Sequence, residues 1–589
     1  MDNGGLKHMV SKGRSLIVYP PTLGTQQAMH NTCFPPHTSL DLEYCHGLRG
    51  REARNCVLVN REGRIIFMAA CLGVVHNLAT NTQTFFRGHD AELRSICLHP
   101  NQDYVASGQA VGPAGQTPMA CVWSSCTRSL LAMIGKGRFT HGVSAVGFSA
   151  SGKLLATLCA DPRNQLSIWN WSTGQQLALA NSHSEGAVLS LLFLSERYDD
   201  DWHNLSADLC TVGKKHAKFW TLRAVEDAFG GSSSPDELPM SLKARNGAFG
   251  VYETPPFVTS VLSLSWLGLM VTGCSSGDIL MWRDGRVMGQ LPAVHTGAVV
   301  ALLGVGRSHF VSGGADGRVV YWSATGHPEK IERMHSILHA SVRGLAYLAP
   351  YAGAPRGLEA EAEVLSLPEQ GPKVFVGRLL VVTGNNELLL ICERSGEITP
   401  VLQGHRDEVP ALVCHRAAQI AFSGGKDGLL RVADLLTRKT LRGQHMDGGG
   451  ILALALSHSN QHLACALQDG SGVVMEVEGL RVMAVWRAPE AAGISSPSGG
   501  ASEALDGGSQ GVSSRRAVAV MSYSPDDSLL IAGALDGSLS LLVTDKTALR
   551  RQTASPASSP SRRLAASEGA DSGAQVQECR LIARVSGEE

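Results

Sequence analysis

Val294-His295-Thr296-Gly297 leads into an apolar run from Val299 to Leu303, then His309-Phe310-Val311-Ser312-Gly313-Gly314, Ala315-Asp316-Gly317 and Val319-Val320-Tyr321-Trp322. Short runs rich in β-branched and aromatic residues form strands, and Asp316-Gly317 supplies the positive φ that a tight hairpin needs. Related copies run from Gly88-His89-Asp90 to Val122-Trp123, from His141 to Ile168-Trp169, from His183 to Phe219-Trp220 and from Val258 to Trp282. More degenerate copies follow. His339 to Ile391 lacks the tryptophan, and Gly404-His405 to Asp434 has Ala433 in its place. Ile451 to Val477 and Val518 to Leu542 keep mainly the strands and the Asp469-Gly470 and Asp536-Gly537 turns. Self-similarity at a period of about 40 to 50 residues predicts an all-β chain of propeller blades, each a small sheet that hides its faces against its neighbours.

Composition agrees with that reading. A chain of 589 residues is expected to hold at least two cores. With 17% charged residues, 5% aromatics and 65 glycines it suits many short strands and tight turns better than long surface helices. Lysine plus arginine total 51 against 52 acidic residues, so no overall field draws the chain to nucleic acid, anionic lipid or an acidic protein surface. Any such binding must be local. The 14 cysteines include no C-x-x-C pair, and Cys56, Cys71, Cys97, Cys159, Cys210 and Cys274 fall in apolar stretches, which points to a reducing compartment. Met1 to Ser11 lacks a signal-peptide pattern, and no apolar run is long enough to span a bilayer. The chain therefore reads as cytosolic or cytoskeletal, with no membrane partner, and the sequons at Asn170 and Asn204 read as chance matches.

The repeats resemble the WD-repeat family. That likeness implies a buried network in each blade made by a histidine, a strand Ser or Thr, the turn aspartate and the tryptophan, here His295, Ser312, Asp316 and Trp322. Ahead of the repeats stand Arg14 to Pro21, then Leu40-Asp41-Leu42-Glu43-Tyr44-Cys45-His46-Gly47-Leu48-Arg49-Gly50, Arg54-Asn55, and Gly63 through Leu78. These resemble the hydrophobic HELP motif that opens the tandem propeller of the echinoderm microtubule-associated protein-like family, with Tyr44, Gly47, Arg49, Gly50 and Arg54 at motif positions. Segments such as Phe86 to Asp90, Ser167 to Trp171, Gly213 to Trp220 and Phe249 to Glu253 continue the likeness in order, over roughly residues 12 to 545.

The resemblance implies WD-repeat β-propellers in tandem, the second incomplete. The expected plan is a flexible N-terminus (1–11), the HELP motif (12–80) as part of the first propeller, and the remainder of that propeller (81–400). A partial second propeller (401–546) with a loop insert at 489–516 follows, then a disordered Ser/Pro-rich segment (547–577) and the start of a further blade (578–589). The opening motif, four blades to about Leu222, one from Val258 to Trp282 and those ending at Trp322 and Ile391 complete one ring, within the four to eight blades a closed propeller uses. About three more blades fit after it, too few to close, so the chain reads as a truncated or incomplete product. No heptad precedes residue 40, so a monomer is expected. Tyr351 to Pro372 and Pro489 to Arg516 read as mobile loops.

Catalysis finds no support in the sequence. Gly147 to Leu154 has the spacing of a phosphate loop, but Leu154 stands where a Mg²⁺-binding hydroxyl is needed and no helix pattern follows. The 21 histidines fall at the repeat position or singly in loops, so neither metal nor cofactor is expected. Asp199-Asp200-Asp201 reads as a solvated loop cluster. Lys546, Arg550, Arg551, Arg562 and Arg563 flank Ser555-Pro556 and Ser559-Pro560, which makes Ser555 and Ser559 candidate phosphorylation positions at a basic segment. The expected function is a non-enzymatic, tubulin- or microtubule-binding platform in cytoplasm and cytoskeleton, at spindle or cilium. The alternative is a general WD-repeat scaffold in ciliary or ubiquitin-ligase complexes.

Overall fold

The structure, a computed structural model, describes residues 7–11, 14–18, 40–112, 116–182, 186–197, 205–224, 238–291, 293–306, 309–323, 331–337, 340–349, 377–393, 395–487, 517–543, 577–578 and 580–585. Two compact units divide the chain, 1–43 and 44–589. In the first, Lys7–Ser11 pairs antiparallel with Arg14–Val18 as a hairpin, so the stretch set aside as a flexible N-terminus contributes a strand. The second unit holds every blade.

Among the described residues ten sheets follow one another in that unit, each with four antiparallel strands called a to d from the channel outward, and in the ninth Gln577–Glu578 adds a short parallel strand beside Val482–Arg487. Blade 1 comprises Val57–Val59, Ile65–Ala69, Leu72–Asn77 and Thr82–Phe86. Blades 2 to 6 begin with strands a at Leu93–Leu98, Val143–Phe148, Val188–Arg197, Val258–Leu264 and Val299–Val305. Blade 7 comprises Val342–Leu348, Arg378–Thr383, Glu387–Cys392 and Ile398–Gln403. Each inner strand touches the next, and strand a of blade 7 returns to strand a of blade 1, closing a ring of seven.

Blades 8 to 10 begin at Ala411–Cys414, Ile451–Leu456 and Val518–Tyr523 and form an arc. Two expected boundaries move. Val401 to Gln403 belong to the outer strand of blade 7, and Arg580–Val585 is the outer strand of blade 10, paired with Leu539–Val543, rather than the start of a further blade. Both shifts have one cause: the strand that precedes a Gly-His unit in sequence is the outermost strand of the blade before it.

Packing between blades follows two recurring devices. Gly108, Gly273, Gly313 and Gly424 end or nearly end their strands b where the next blade's inner strand arrives. A Cβ there would lie 2.7, 2.7, 2.4 and 2.5 Å from Val143, Val299, Val342 and Ile451. Gly533 holds the same register in blade 10, where the nearest atom to such a Cβ is Leu539 of its own blade at 3.5 Å. The outer flank of the arc accordingly leaves Val520 and Leu539 half or more exposed.

The second device is a bulge at the second residue of strand a. It recurs at Arg94, Ser144, Leu189, Thr259, Val300 and Arg343, each skipped by the ladder. Such a bulge re-aims the extra residue, and Arg94, Ser144, Leu189 and Thr259 all line the central channel. Large aromatics fill the spaces between blades. Trp123, Trp169, Trp282 and Trp322 are fully buried, and Trp123 stacks on Phe86 of blade 1 at 4.7 Å. Gly147 to Leu154 joins two strands through a turn, as its failed phosphate-loop pattern anticipated.

Candidate functional site: the strap over the first channel

Residues 44 to 56 precede blade 1 without regular structure, and their backbone groups must find partners elsewhere. Those partners explain how the ring closes. The amides of Gly50 and Arg51 both donate to Oδ1 of Asn386, at 2.9 and 2.8 Å, in the strand b to c turn of blade 7. Asn55 N–H donates to the Arg343 carbonyl at 3.2 Å on strand a of the same blade. The guanidinium of Arg54 reaches across the channel to the Thr259 carbonyl of blade 5, at 3.0 Å. Arg49 is held on the near side by its backbone N–H to Met68 O, 2.8 Å, and by ion pairs with Glu52 and Glu92, each 2.7 Å. Both carboxylates are mostly exposed, so these pairs position the strap more than they stabilise it. Leu48 anchors it in the core that blades 1 and 7 share with Leu380, Val382 and Leu388.

Two glycines of the strap separate by what surrounds them. A Cβ on Gly50 would stand 2.5 Å from the Thr383 carbonyl oxygen and 2.9 Å from Val382 Cγ1, whereas one on Gly47 meets nothing within 4 Å. Gly50→Ala therefore forces strap and blade 7 apart and is expected to cost about 1–3 kcal/mol, while Gly47→Ala stays within about 0.5 kcal/mol of wild type. Thermal unfolding of the two variants side by side checks this, and equal midpoints would refute the closure role.

The strap also sits at the seam with blade 8. Tyr44 Oη donates to Asn81 Oδ1 at 2.9 Å, Asn81 Nδ2 donates to Thr437 O at 2.6 Å, and Arg438 donates to Asn81 O at 3.1 Å. The Arg438 guanidinium lies over the Tyr44 ring, 5.9 Å from its centre. Asn386 contributes here as well, its Nδ2 donating to the His405 carbonyl at 2.8 Å.

The blade networks are graded rather than uniform. In blade 6, Trp322 Nε1 donates to Ser312 Oγ at 2.8 Å, Ser312 lies 2.8 Å from His295 Nε2, and His295 Nδ1 lies 3.1 Å from Asp316. Indole only donates and carboxylate only accepts, so the serine hydroxyl must donate to Nε2 and the imidazole carries its proton on Nδ1. Burial, against the pull of Asp316, lowers the His295 pKa and keeps the ring neutral. Blade 2 repeats the chain with Trp123, Ser107 and His89, but Gln109 Oε1 replaces the aspartate, at 2.8 Å. In blade 4 the histidine is His216, the first residue of strand c, 2.8 Å from Thr211 Oγ1. Blades 3 and 5 keep only the tryptophan and threonine pairs, Trp169 with Thr157 and Trp282 with Thr272, each 2.8 Å. Blade 8 keeps His405, Ser423 and Asp427, with no tryptophan. These side chains serve packing.

His183, His339, Asp199 to Asp201, Ser555, Ser559 and both inserts lie outside the described residues. Among the described residues no group of three or more His, Cys, Asp or Glu is placed to hold a metal, and no helix is long and apolar enough to cross a membrane. Asn386, Asn81, Thr259, Arg343 and Arg438 were missed by sequence reasoning. Only Asn386 left a signal, standing in a turn where other blades carry Asp-Gly.

A closed seven-bladed ring followed by a second arc, with a tryptophan-serine-histidine-aspartate network complete in blade 6 and partial in other blades, defines a tandem WD-type β-propeller protein. Two family models match the chain, the HELP motif over residues 35–74 and the echinoderm microtubule-associated protein first β-propeller over 82–354. Over these two stretches the chain is similar to the echinoderm microtubule-associated protein-like family. Echinoderm microtubule-associated protein-like 1 of Homo sapiens is 26% identical over 434 residues, 72% of this chain and 47% of the relative. Echinoderm microtubule-associated protein-like 2 of Mus musculus is 24% identical over 556 residues, 93% of this chain and 73% of the relative. The 77 kDa echinoderm microtubule-associated protein of Strongylocentrotus purpuratus is 24% identical over 485 residues, 80% and 62%. The chain thus spans about half the length of the first of these relatives.

Proposed function

We propose that this chain is a non-catalytic platform of the cytoplasm and cytoskeleton that binds tubulin. The observation that supports the reading is the combination of a HELP strap with an echinoderm-type first propeller, in a chain whose relatives are named microtubule-associated proteins. A rigid ring that displays turns from seven blades suits recognition of a large partner. The net charge of -1 offers no long-range attraction to a polyanionic lattice, which favours the soluble tubulin dimer over the polymer. Purified chain is expected to retain α/β-tubulin in a pull-down and to co-sediment weakly with assembled microtubules. Recovery of a stable multiprotein complex without tubulin would favour the scaffold reading instead, and tight co-sedimentation with little dimer binding would reverse the stated preference.

A further inference from the structure

The mouth of the first channel concentrates positive charge in a way ring closure does not require. The channel is a cavity of about 980 Å³ whose lining includes Arg49, Arg54 and Arg94. Arg49 is neutralised by Glu52 and Glu92. Among the described residues the other arginines at this mouth form no ion pair with a carboxylate. Arg54 gives one N–H to the Thr259 carbonyl and otherwise faces Arg343, and burial together with repulsion from Arg343 lowers its pKa. Arg343 has a buried Nε with no hydrogen-bond partner among the described residues. Arg94, the bulged residue of blade 2, is exposed and forms no ion pair among the described residues. Asp161, the remaining lining carboxylate besides Glu52, accepts the backbone N–H of Gln165 at 2.8 Å.

We propose that this mouth is an anion site for the carboxylate side chains of an acidic peptide, held by Arg54, Arg343 and Arg94. Guanidiniums are planar forks matched to carboxylates, and a buried N–H without an acceptor carries a penalty that an incoming oxygen would remove. The three arginines come from the strap and from blades 7 and 2, which flank blade 1. Arg54 and Arg94 line the cavity, and Arg343 stands beside Arg54 at the bulge position that faces the channel in blades 2 to 5, so the three suit a run of carboxylates better than a single small ion. The cavity beneath is at the upper end of the volumes of small-ligand pockets and admits extended chain. The site does not rest on tubulin as partner and would stand if tubulin failed to bind.

Fluorescence anisotropy of labelled hexaglutamate with the full chain tests it. Binding at low salt that weakens as salt rises is expected, with at least a ~10-fold loss of affinity in the Arg94→Gln/Arg343→Gln double variant. Because Arg343→Gln removes a repulsion, its melting temperature should not fall, and hexaglutamate should raise that of the wild type. Should the double variant fail to fold, Arg94→Gln alone, on an exposed side chain, should still weaken binding several-fold. No binding at low salt, or variants that bind like wild type, would overturn the proposal, as would inorganic phosphate competing at concentrations as low as the peptide's own.

Discussion

Acidification from pH 6.5 to 4 is expected to lower the melting temperature of this protein steeply. Burial holds His76, His89 and His216 down to about 4, from an ordinary value of 6.5. Unfolded, these rings take up protons near pH 6.5; folded, they stay neutral until about pH 4. Over that window the unfolded chain binds more protons, so stability falls with falling pH, by about 3 kcal/mol for each ring once both forms are protonated. His76 is the plainest case, with a buried Nδ1 that has no hydrogen-bond partner among the described residues. Asp427 works in a lower range. Its hydrogen bonds to His405, Arg406 and Leu429 outweigh burial and hold it to about 2, so its contribution is full above the usual aspartate value and is lost progressively as pH falls from there through about 2. Calorimetry across pH 4 to 7 reads the effect directly. His76→Phe, which keeps a ring against Tyr44, should flatten the profile by one ring's share, and a melting temperature that does not change over this range would refute the account.

Ser312→Ala should destabilise the first ring by about 3 kcal/mol, because it strands the Trp322 N–H and His295 Nε2 in an interior without water, at about 1–3 kcal/mol each. Both side chains are fully buried. Ser423→Ala in blade 8 supplies the comparison. Its hydroxyl serves His405, and Ala433 stands where a tryptophan would donate, so one group is stranded and about half the loss is expected. Unfolding followed by tryptophan fluorescence distinguishes the two. Equal losses would mean that the tryptophan bond contributes nothing.

The blade repeat was legible because each blade is local: a Gly-His start, a Ser or Thr strand, an Asp-Gly turn and a tryptophan lie within one stretch of chain, as from His295 to Trp322. The networks were only half legible, since Gln109 replaces an aspartate and His216 stands at the start of strand c rather than where the motif positions suggest. The strap's residues stood out as a motif, yet their tasks did not, because Gly50, Arg54 and Asn55 act on partners hundreds of positions away. Bulges left no mark either. Whether Arg94 or Ser95 pairs with strand b depends on register, which one sequence does not display. The domain boundaries slipped by a strand for the same reason, since Ile398–Gln403 lies beside the next repeat in sequence but completes the previous sheet in space.

Ring closure through Gly50 and Asn386 joins positions 336 residues apart. A chain emerging from the ribosome would have made blade 1 long before blade 7 exists, and until then the strap lacks the partners it has in blade 7. The face of blade 1 that packs on blade 7 must therefore wait, uncovered, through most of the synthesis of the ring. Protection during that interval, by chaperones or by slow emergence, is a demand this architecture places on the cell that makes it.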